Sequence, residues 1–411
     1  MKLPFFLALY ALFFSILAAP AAFCASNTPP GTQFHLLPEN LPKPFASPSV
    51  SNPPRHAQPR PNTQLKAPEG FAVNLFADGL EDARWLAVAP NGDVFLAQSD
   101  LGRITLLRDT NDDGRADFVG VYGDEFDRPH GLAFNDGWLY IADTRRVWRL
   151  PYKPGSDTPG TRPEPVTRQG AIGDGSGHWT RNIAFHPDGT RFYVSVGSRR
   201  NIDVESPPRA SVQEFSKNGK SQHSFATGLR NPVGIAFYPG SDDLYVVVNE
   251  RDGLGDGLVP DYLTGLKDGG FYGWPYAYIG PNPQPKFAGR RPDLVKKTLT
   301  PDLLFHSHSA PLGLAFYNHD SFGEAWRGDA FVALHGSWNA AVPQGYMVVR
   351  VPFENGQPAG GYEAFLTGFW IEGEETAGVW GRPAGLAVAA DGSLLVADDL
   401  GGKIWRVSRK P

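Results

Sequence analysis

From Leu65 onward the apolar and polar positions repeat as a unit: a short apolar stretch, a tight polar turn, a second apolar stretch and a polar break. The copies are Trp85-Leu86-Ala87-Val88 with turn Asn91-Gly92, Gly131-Leu132-Ala133-Phe134 with Asp136-Gly137, and Asn182-Ile183-Ala184-Phe185 with Asp188-Gly189. They continue with Gly234-Ile235-Ala236-Phe237 before Gly240-Ser241-Asp242, Gly313-Leu314-Ala315-Phe316 before a longer insert, and Gly385-Leu386-Ala387-Val388 with Asp391-Gly392. Asn-Gly and Asp-Gly supply the positive φ angles of two-residue hairpin turns. The stretches that follow, such as Leu139-Tyr140-Ile141-Ala142 and Leu244-Tyr245-Val246-Val247, are β-branched or aromatic. Apolar side chains on both strand faces call for sheets packed between neighbouring sheets. The pattern predicts an all-β chain, a six-bladed β-propeller of four-stranded antiparallel blades over residues 67–411. Residues 71–76 are expected to complete the last blade and close the ring. A β-sandwich gives no reason for six marked copies.

The chain ahead of the repeats reads differently. Lys2, an apolar run over residues 3–19 and the small residues Pro20, Ala21, Ala22 and Ala25 have the order of a secretory signal peptide, assigned to residues 1–25. The expected location is periplasmic or secreted. The run is short for a bilayer span and lacks a basic stop-transfer flank, so no stable membrane insertion is expected after its removal. Phe23 stands before Cys24, where lipid attachment wants a small residue. Residues 26–66, rich in Pro, Asn, Ser and Gln, read as a Pro-rich flexible linker without a core of its own. Composition narrows the partners. A formal charge of -5 gives no footprint for nucleic acid, and a single cysteine allows no intramolecular disulfide.

Propellers gather the starts of their inner strands around one mouth of the central channel. Here those positions hold Arg84, Pro129-His130, His178 with Arg181, Arg230-Asn231, Ser309 with Pro311, and Arg382. Arginine grips carboxylates in a two-pronged fashion, so the set predicts an anion or polyanionic-cofactor site. Taken singly, any of these residues reads as readily as a hydrogen bond between blades.

Three further blocks carry a family resemblance: Gly228-Leu229-Arg230-Asn231-Pro232-Val233-Gly234, Asn249-Glu250-Arg251-Asp252-Gly253 and Gly269-Gly270-Phe271-Tyr272-Gly273-Trp274-Pro275. With Gly177-His178-Trp179-Thr180-Arg181-Asn182, Ala333-Leu334-His335-Gly336-Ser337-Trp338 and Trp380-Gly381-Arg382-Pro383, they make the chain resemble the soluble pyrroloquinoline-quinone (PQQ)-dependent sugar dehydrogenases, in the sorbosone- and aldose-dehydrogenase-like branch. The resemblance implies PQQ and Ca²⁺ as cofactors, and a sugar or sugar aldehyde as substrate. Electrons would pass to an acceptor such as cytochrome c or a quinone. It implies His178 as the general base and hydride transfer to C5 of the quinone, with Arg230 stabilising the oxyanion formed there. An imidazole titrating near pH 6.5 suits such a base. It further implies Asn231 and Arg382 as contacts of the cofactor; Arg84 and His130, by their place at strand starts, and His335 join them as candidate cofactor residues, and His130 is for the same reason a rival for the base. The calcium ligands would be the backbone carbonyls of Arg251 and Asp252, and Asp261 and Tyr272 would serve a second calcium. Glucose-oxidising relatives have a lysine where His335 stands and a tryptophan where His306-Ser307-His308 lies, which makes these histidines candidates for substrate or cofactor contact. Residues 280–300 are expected to wall the funnel.

One motif lies outside that resemblance. Asp109, Asn111, Asp113 and Asp117, with Gly114 at the turn, have the spacing of a calcium loop without its final glutamate; a solvated hairpin turn is the plain alternative. Two other readings of the whole chain stand beside the dehydrogenase. One is a lactonase-type metal-binding propeller, which needs carboxylates clustered at the channel where this mouth reads as basic. The other is a non-catalytic propeller that binds carbohydrate or a protein partner.

Overall fold

Of the dipeptide turns, Asp136-Gly137 folds as the two-residue turn expected, whereas at Asn91-Gly92, Asp188-Gly189 and Asp391-Gly392 only the glycine takes positive φ, in longer loops. Asp136 and Gly137 take φ of 48° and 75° between the paired residues Asn135 and Trp138, the double positive φ of a type I′ hairpin. The computed structural model describes residues 28–410, so the expected signal peptide lies outside the described residues. Among the described residues six sheets have four or five strands, and the one α-helix is the short Pro292–Lys297. Each sheet starts on a strand of the repeated motif: Trp85–Val88, Gly131–Asn135, Ile183–Phe185, Asn231–Phe237, Pro311–Phe316 and Pro383–Val388. The first four-stranded sheet runs Trp85–Val88, Val94–Gln98, Arg103–Arg108, Phe118–Gly123. In the last, Phe71–Ala77 pairs antiparallel with Lys403–Arg409, so the two ends of the repeat region meet in one sheet as expected.

These six initial strands lie against one another in sequence order, and Pro383–Val388 returns to Trp85–Val88, closing a ring. The recurring glycine is what the close approach requires. A Cβ on Gly131 would lie 2.6 Å from the Arg181 carbonyl oxygen, and one on Gly234 only 2.4 Å from that of Leu312. On Gly313 it would lie 2.4 Å from the Ala384 oxygen, and on Gly385 2.8 Å from Trp85 Cα. Apolar faces fill the spaces between sheets. Leu86, Leu96 and Leu107 of the first sheet share a buried cluster with Leu395, Ala397 and Ile404 of the last. Trp85, Leu132, Val233, Leu312 and Ala384, from five of the inner strands, belong to another, so apolar side chains fill the axis. The architecture is that of a β-propeller.

Residues 28–66 depart from the flexible linker expected of them. Gln33–Phe34 adds a strand to the edge of Tyr362–Leu366, Arg55–His56 pairs with Gly378–Val379, and Lys66 bridges to Thr367. Asn52 binds three backbone carbonyls in two other segments. A segment poor in apolar residues is fixed here by hydrogen bonds to edges and loops that the propeller leaves open and by a few apolar anchors, Phe34, Leu36, Leu41 and Leu65, packed against its core. No helix among the described residues is long and apolar enough to cross a membrane.

Candidate active site

The starts of the inner strands, with the loops after the second strands, enclose a cavity of about 500 Å³. His178, Arg230, Asn231, His335, Arg382 and Arg84, far apart in sequence, all line it.

On one wall Gly177, at φ 68°, gives the sharp turn that precedes the histidine; a Cβ there would lie 2.2 Å from the Arg199 oxygen. His178 donates from its backbone N–H (3.0 Å) and from Nδ1 (2.8 Å) to the Ser198 carbonyl. The second bond places the ring proton on Nδ1 and leaves Nε2 a free acceptor. Burial, then the Arg230 charge, push the imidazole down to about 4. It is neutral throughout the physiological range, and the expected titration near 6.5 does not hold in this environment. The Arg230 guanidinium donates to the carbonyls of Asn201 and Asn249 at 3.2 Å each, to Asn201 Oδ1 at 3.0 Å and to Asp252 Oδ2 at 3.2 Å. Asn231 is buried, and its Oδ1 has no hydrogen-bond partner.

The opposite wall is organised by Asp399. His335 Nε2 donates to its two oxygens at 2.9 and 3.0 Å, and Arg84 Nη1 binds the same carboxylate. Arg382 braces His335 by donating from Nε to its carbonyl (2.9 Å) and from Nη2 to that of Gly336 (2.7 Å). Burial alone would raise Asp399; His335, Arg84 and Arg382 hold it well below the carboxylate range. Burial and Arg382 push His335 down to about 4. Arg84 Nε is buried without a partner.

The cavity is not simply basic, as the strand starts had implied. Glu250, Asp252 and Asp261 line it too. Burial raises Glu250 to about 7 and Asp261 to about 6. Asp252 stays below its usual value although burial opposes it, because His308 and Arg230 favour its charge. Asn339 donates to Asp252 Oδ1 at 2.7 Å.

Other expected members of the site lie elsewhere. His130 is fully buried between the rings of Trp85 and Trp179, 4.5 and 5.6 Å away, and donates to the Arg181 carbonyl at 3.2 Å. It does not line the cavity, because its ring bonds across to the next sheet. Arg181 is buried and donates to the carbonyls of Ile172, His178 and Thr180, bracing the histidine's turn. His306 is bound to the Tyr362 hydroxyl at 2.9 Å, away from the cavity, whereas His308 lines it. Residues 280–300 contribute nothing to its wall; Arg291, Leu294, Lys297 and Leu299 line a separate hollow of about 690 Å³.

Of the groups expected at calcium, the Asp252 carbonyl, Asp261 and Tyr272 carry protein hydrogen bonds in this structure. The Asp252 carbonyl accepts from Arg251 Nε (2.9 Å), Arg251 Nη2 (2.5 Å) and Asn201 Nδ2 (2.9 Å), so its lone pairs are engaged by donors. Asp261 accepts the N–H groups of Glu250 and Ala310 at 2.8 Å each. Tyr272 does not line the cavity, and its hydroxyl binds Gly265 and Lys267. Among the described residues no group of three or more carboxylate, imidazole or thiol side chains is arranged to hold a metal. The Asp109 loop is a self-satisfied hairpin turn. Asp109 accepts from the N–H of Gly114 (2.7 Å) and Asp113 (3.2 Å), Asn111 accepts from Asp113 (3.0 Å), and Asp117 accepts from Thr110 (2.9 Å).

What the cavity does fit is a flat polyanion. Three guanidiniums converge on it, each anchored through part of its donor set, and the unpartnered Arg84 Nε and Asn231 Oδ1 sit in its wall. The guanidinium N–H groups suit the carboxylates and carbonyls of PQQ, whereas Asn231 Oδ1 can only accept from a donor on the guest.

Comparison with known proteins agrees with this. The TrAA12-like family model matches residues 65–258 and 293–410. The chain belongs to the TrAA12-like family. A Glucose / Sorbosone dehydrogenase model also matches residues 206–339 of this TrAA12-like protein. The chain is 27% identical over 419 residues to the pyrroloquinoline quinone-dependent pyranose dehydrogenase of Coprinopsis cinerea, covering 85% of this chain and 55% of that protein. It thus spans about half the length of that relative. Among solved structures, the holo form of the pyranose dehydrogenase PQQ domain from Coprinopsis cinerea aligns with a TM-score of 0.71 at 23% identity, over 85% of this chain and 98% of that one. The calcium structure of the family AA12 enzyme of Trichoderma reesei aligns with a TM-score of 0.73 at 19% identity, over 86% and 99%. The resemblance drawn from the sequence blocks to the soluble PQQ-dependent sugar dehydrogenases therefore holds at the level of the family.

Proposed function

We propose that this protein is a PQQ-dependent dehydrogenase of pyranose sugars, working in the cavity at one end of a propeller whose six sheets are its six blades. The observation that carries the reading is the convergence of His178, Arg230, Asn231, His335, Arg382 and Arg84 on one hollow of about 500 Å³. The family supports the cofactor, and the Coprinopsis relative supports the substrate class.

PQQ, when bound, supplies an electrophilic carbonyl that accepts a hydride. The protein's part is to bind, orient and move a proton. Arg84 and Arg382 would pair with the carboxylates of the quinone, and Asn231 would hydrogen-bond it. His178, its proton fixed on Nδ1 by the Ser198 carbonyl, offers Nε2 to the sugar's anomeric hydroxyl and takes that proton as the sugar loses two electrons. Arg230, kept rigid by Asn201, Asn249 and Asp252, presents fixed positive charge where negative charge develops. His335 serves as a positioning residue between Asp399 and Arg382. Calcium enters this proposal through the family alone, and no step is assigned to it. An aldehyde donor, export to the periplasm or beyond, and a cytochrome or quinone as electron acceptor complete the reading.

The test is reconstitution. Purified protein is given PQQ and Ca²⁺, and reduction of an artificial dye is followed with a panel of aldoses. Sugar-dependent reduction is expected, and His178→Ala should cut it by about 10²–10⁴-fold while quinone binding stays within about twofold. Failure of every sugar, with no spectral sign of bound quinone, removes the proposal.

A further inference from the structure

Trp338 is half-exposed, at 52%, yet it lines the same cavity as His178 and Arg230. A large indole left open beside a polar cavity is an unusual way to use that residue. The pyranose ring offers an apolar C–H face that an aromatic face can cover, while its hydroxyls reach polar partners around the rim. The loop that carries Trp338 is fastened in two places. Its base closes on itself, through Ser337 N–H to the Gln344 carbonyl (2.9 Å) and Gln344 N–H to Ser337 Oγ (3.0 Å). Its tip is held from outside. Asn52 donates its backbone N–H to the Trp338 carbonyl (2.7 Å) and its Nδ2 to the carbonyls of Ala340 (3.0 Å) and Glu375 (2.6 Å), and its Oδ1 accepts from Thr376 (2.8 Å). The same segment reaches the neighbouring loop, where Ser47 Oγ accepts from the Asp256 N–H at 2.8 Å. Asp256 in turn accepts from Ala341 at 2.6 Å, locking the two loops together.

We infer that Trp338 is the platform on which the sugar ring rests at the mouth of the cavity, and that Asn52 is the positioning residue that holds it there. This rests on the reading of the cavity as a sugar-oxidising site. Residues 45–56 then act as a strap that sets substrate affinity, although they contribute no side chain to the cavity wall. Asn52 sits outside the propeller strands, and its bonds fall on the two carbonyls that flank Asn339. Loss of its side chain therefore removes the bond to Ala340 and the ties to Glu375 and Thr376, loosening the loop tip, while its backbone N–H still holds the Trp338 carbonyl and the loop base stays closed.

The probe is anhydroglucitol, the glucose ring without its anomeric hydroxyl, titrated by calorimetry into the full mature chain with and without PQQ. Binding is expected to weaken about tenfold in Trp338→Ala and about threefold in Asn52→Ala, with partial recovery in Trp338→Phe. In the dye assay KM should rise by the same factors with kcat and quinone affinity unchanged. Hydrogen exchange should quicken at residues 338–341 in Asn52→Ala and stay slow at 347–351. Unchanged analogue affinity and KM in Trp338→Ala overturn the proposal. So does a fall of kcat, quinone affinity and melting temperature together in Asn52→Ala, which marks a scaffold role. A wild type that reduces no dye but binds the analogue through Trp338 leaves the platform standing and removes the dehydrogenase reading. Dye reduction that neither variant alters does the reverse.

Discussion

Asp252 lines the cavity, Asp399 stands behind the His335 and Arg84 that line it, and the surroundings of the two aspartates differ. Asp399, nearly sealed from solvent, gathers His335 and Arg84 directly, with Arg382 bracing His335 behind. Asp252 is more open, shares itself between Arg230 and Asn339, and has Glu250 and Asp261 for company. The first wall carries a surplus of cationic groups around one carboxylate. The second is close to charge balance and holds the histidine whose Nε2 is free. The difference separates two tasks that one site must perform. The surplus wall is built to hold a polyanion, and the balanced wall is built to leave a neutral base neutral beside a fixed positive charge.

Substitutions on each wall should therefore fail differently. After His178→Ala, the largest effect is expected from Arg230→Met, a loss of about 10²–10³-fold in kcat measured by dye reduction, since it removes the fixed charge beside the reacting atoms. An equal loss from Arg382→Met in kcat, with quinone affinity unchanged, would erase the division of labour. Next, Asp399→Asn should lower stability by about 3 kcal/mol in chemical denaturation, because it leaves buried cations without their counter-charge. Asp252→Asn should lower it by about 1 kcal/mol, since its amide can still accept from Asn339.

The pH profile sharpens the comparison further. Protonated His178 cannot accept a proton, and its value of about 4 sets where that form appears. The ratio kcat/KM should stay level from neutrality downward and fall on an acid limb near pH 4; a limb near 6.5 would contradict the buried, Arg230-facing environment. The same depressed value means that folding favours the neutral ring. That contribution is present above the unfolded value near 6.5 and is lost as pH falls through about 4. The smallest effect is expected far from either wall. Asp109→Asn should shift stability by less than about 1 kcal/mol, and its melting temperature should show no calcium dependence that the parent lacks.

Much of this was legible before any coordinates. The Gly-x-Ala repeats and their Asn-Gly and Asp-Gly turns mark the inner strands, and the residues just ahead of those strands include most of the basic wall. Asp252 and Asp261 read from the sequence as calcium groups rather than as parts of an acidic wall, although a signal for that wall is there: acidic residues stand at the ends of second strands, at Asp143, Glu250 with Asp252, and Asp398 with Asp399. The blocks also do not distinguish a histidine facing the cavity from one facing the next sheet. His130 and His178 both stand ahead of inner strands, and the neighbouring rings of Trp85 and Trp179 with the bond to the Arg181 carbonyl enclose the former. The order of residues 28–66 was invisible for a different reason. It comes from hydrogen bonds to distant loops and from a few apolar anchors, which leave no periodicity in the segment itself.

The cations gathered at Asp399 have one purpose here, to bind the quinone's carboxylates. An equilibrium titration of PQQ into wild type and into Arg84→Met/Arg382→Met, followed by quinone absorbance, decides this. One quinone should bind per chain in the wild type, and binding should be at least about 10²-fold weaker in the double variant. Equal binding by both proteins would contradict it.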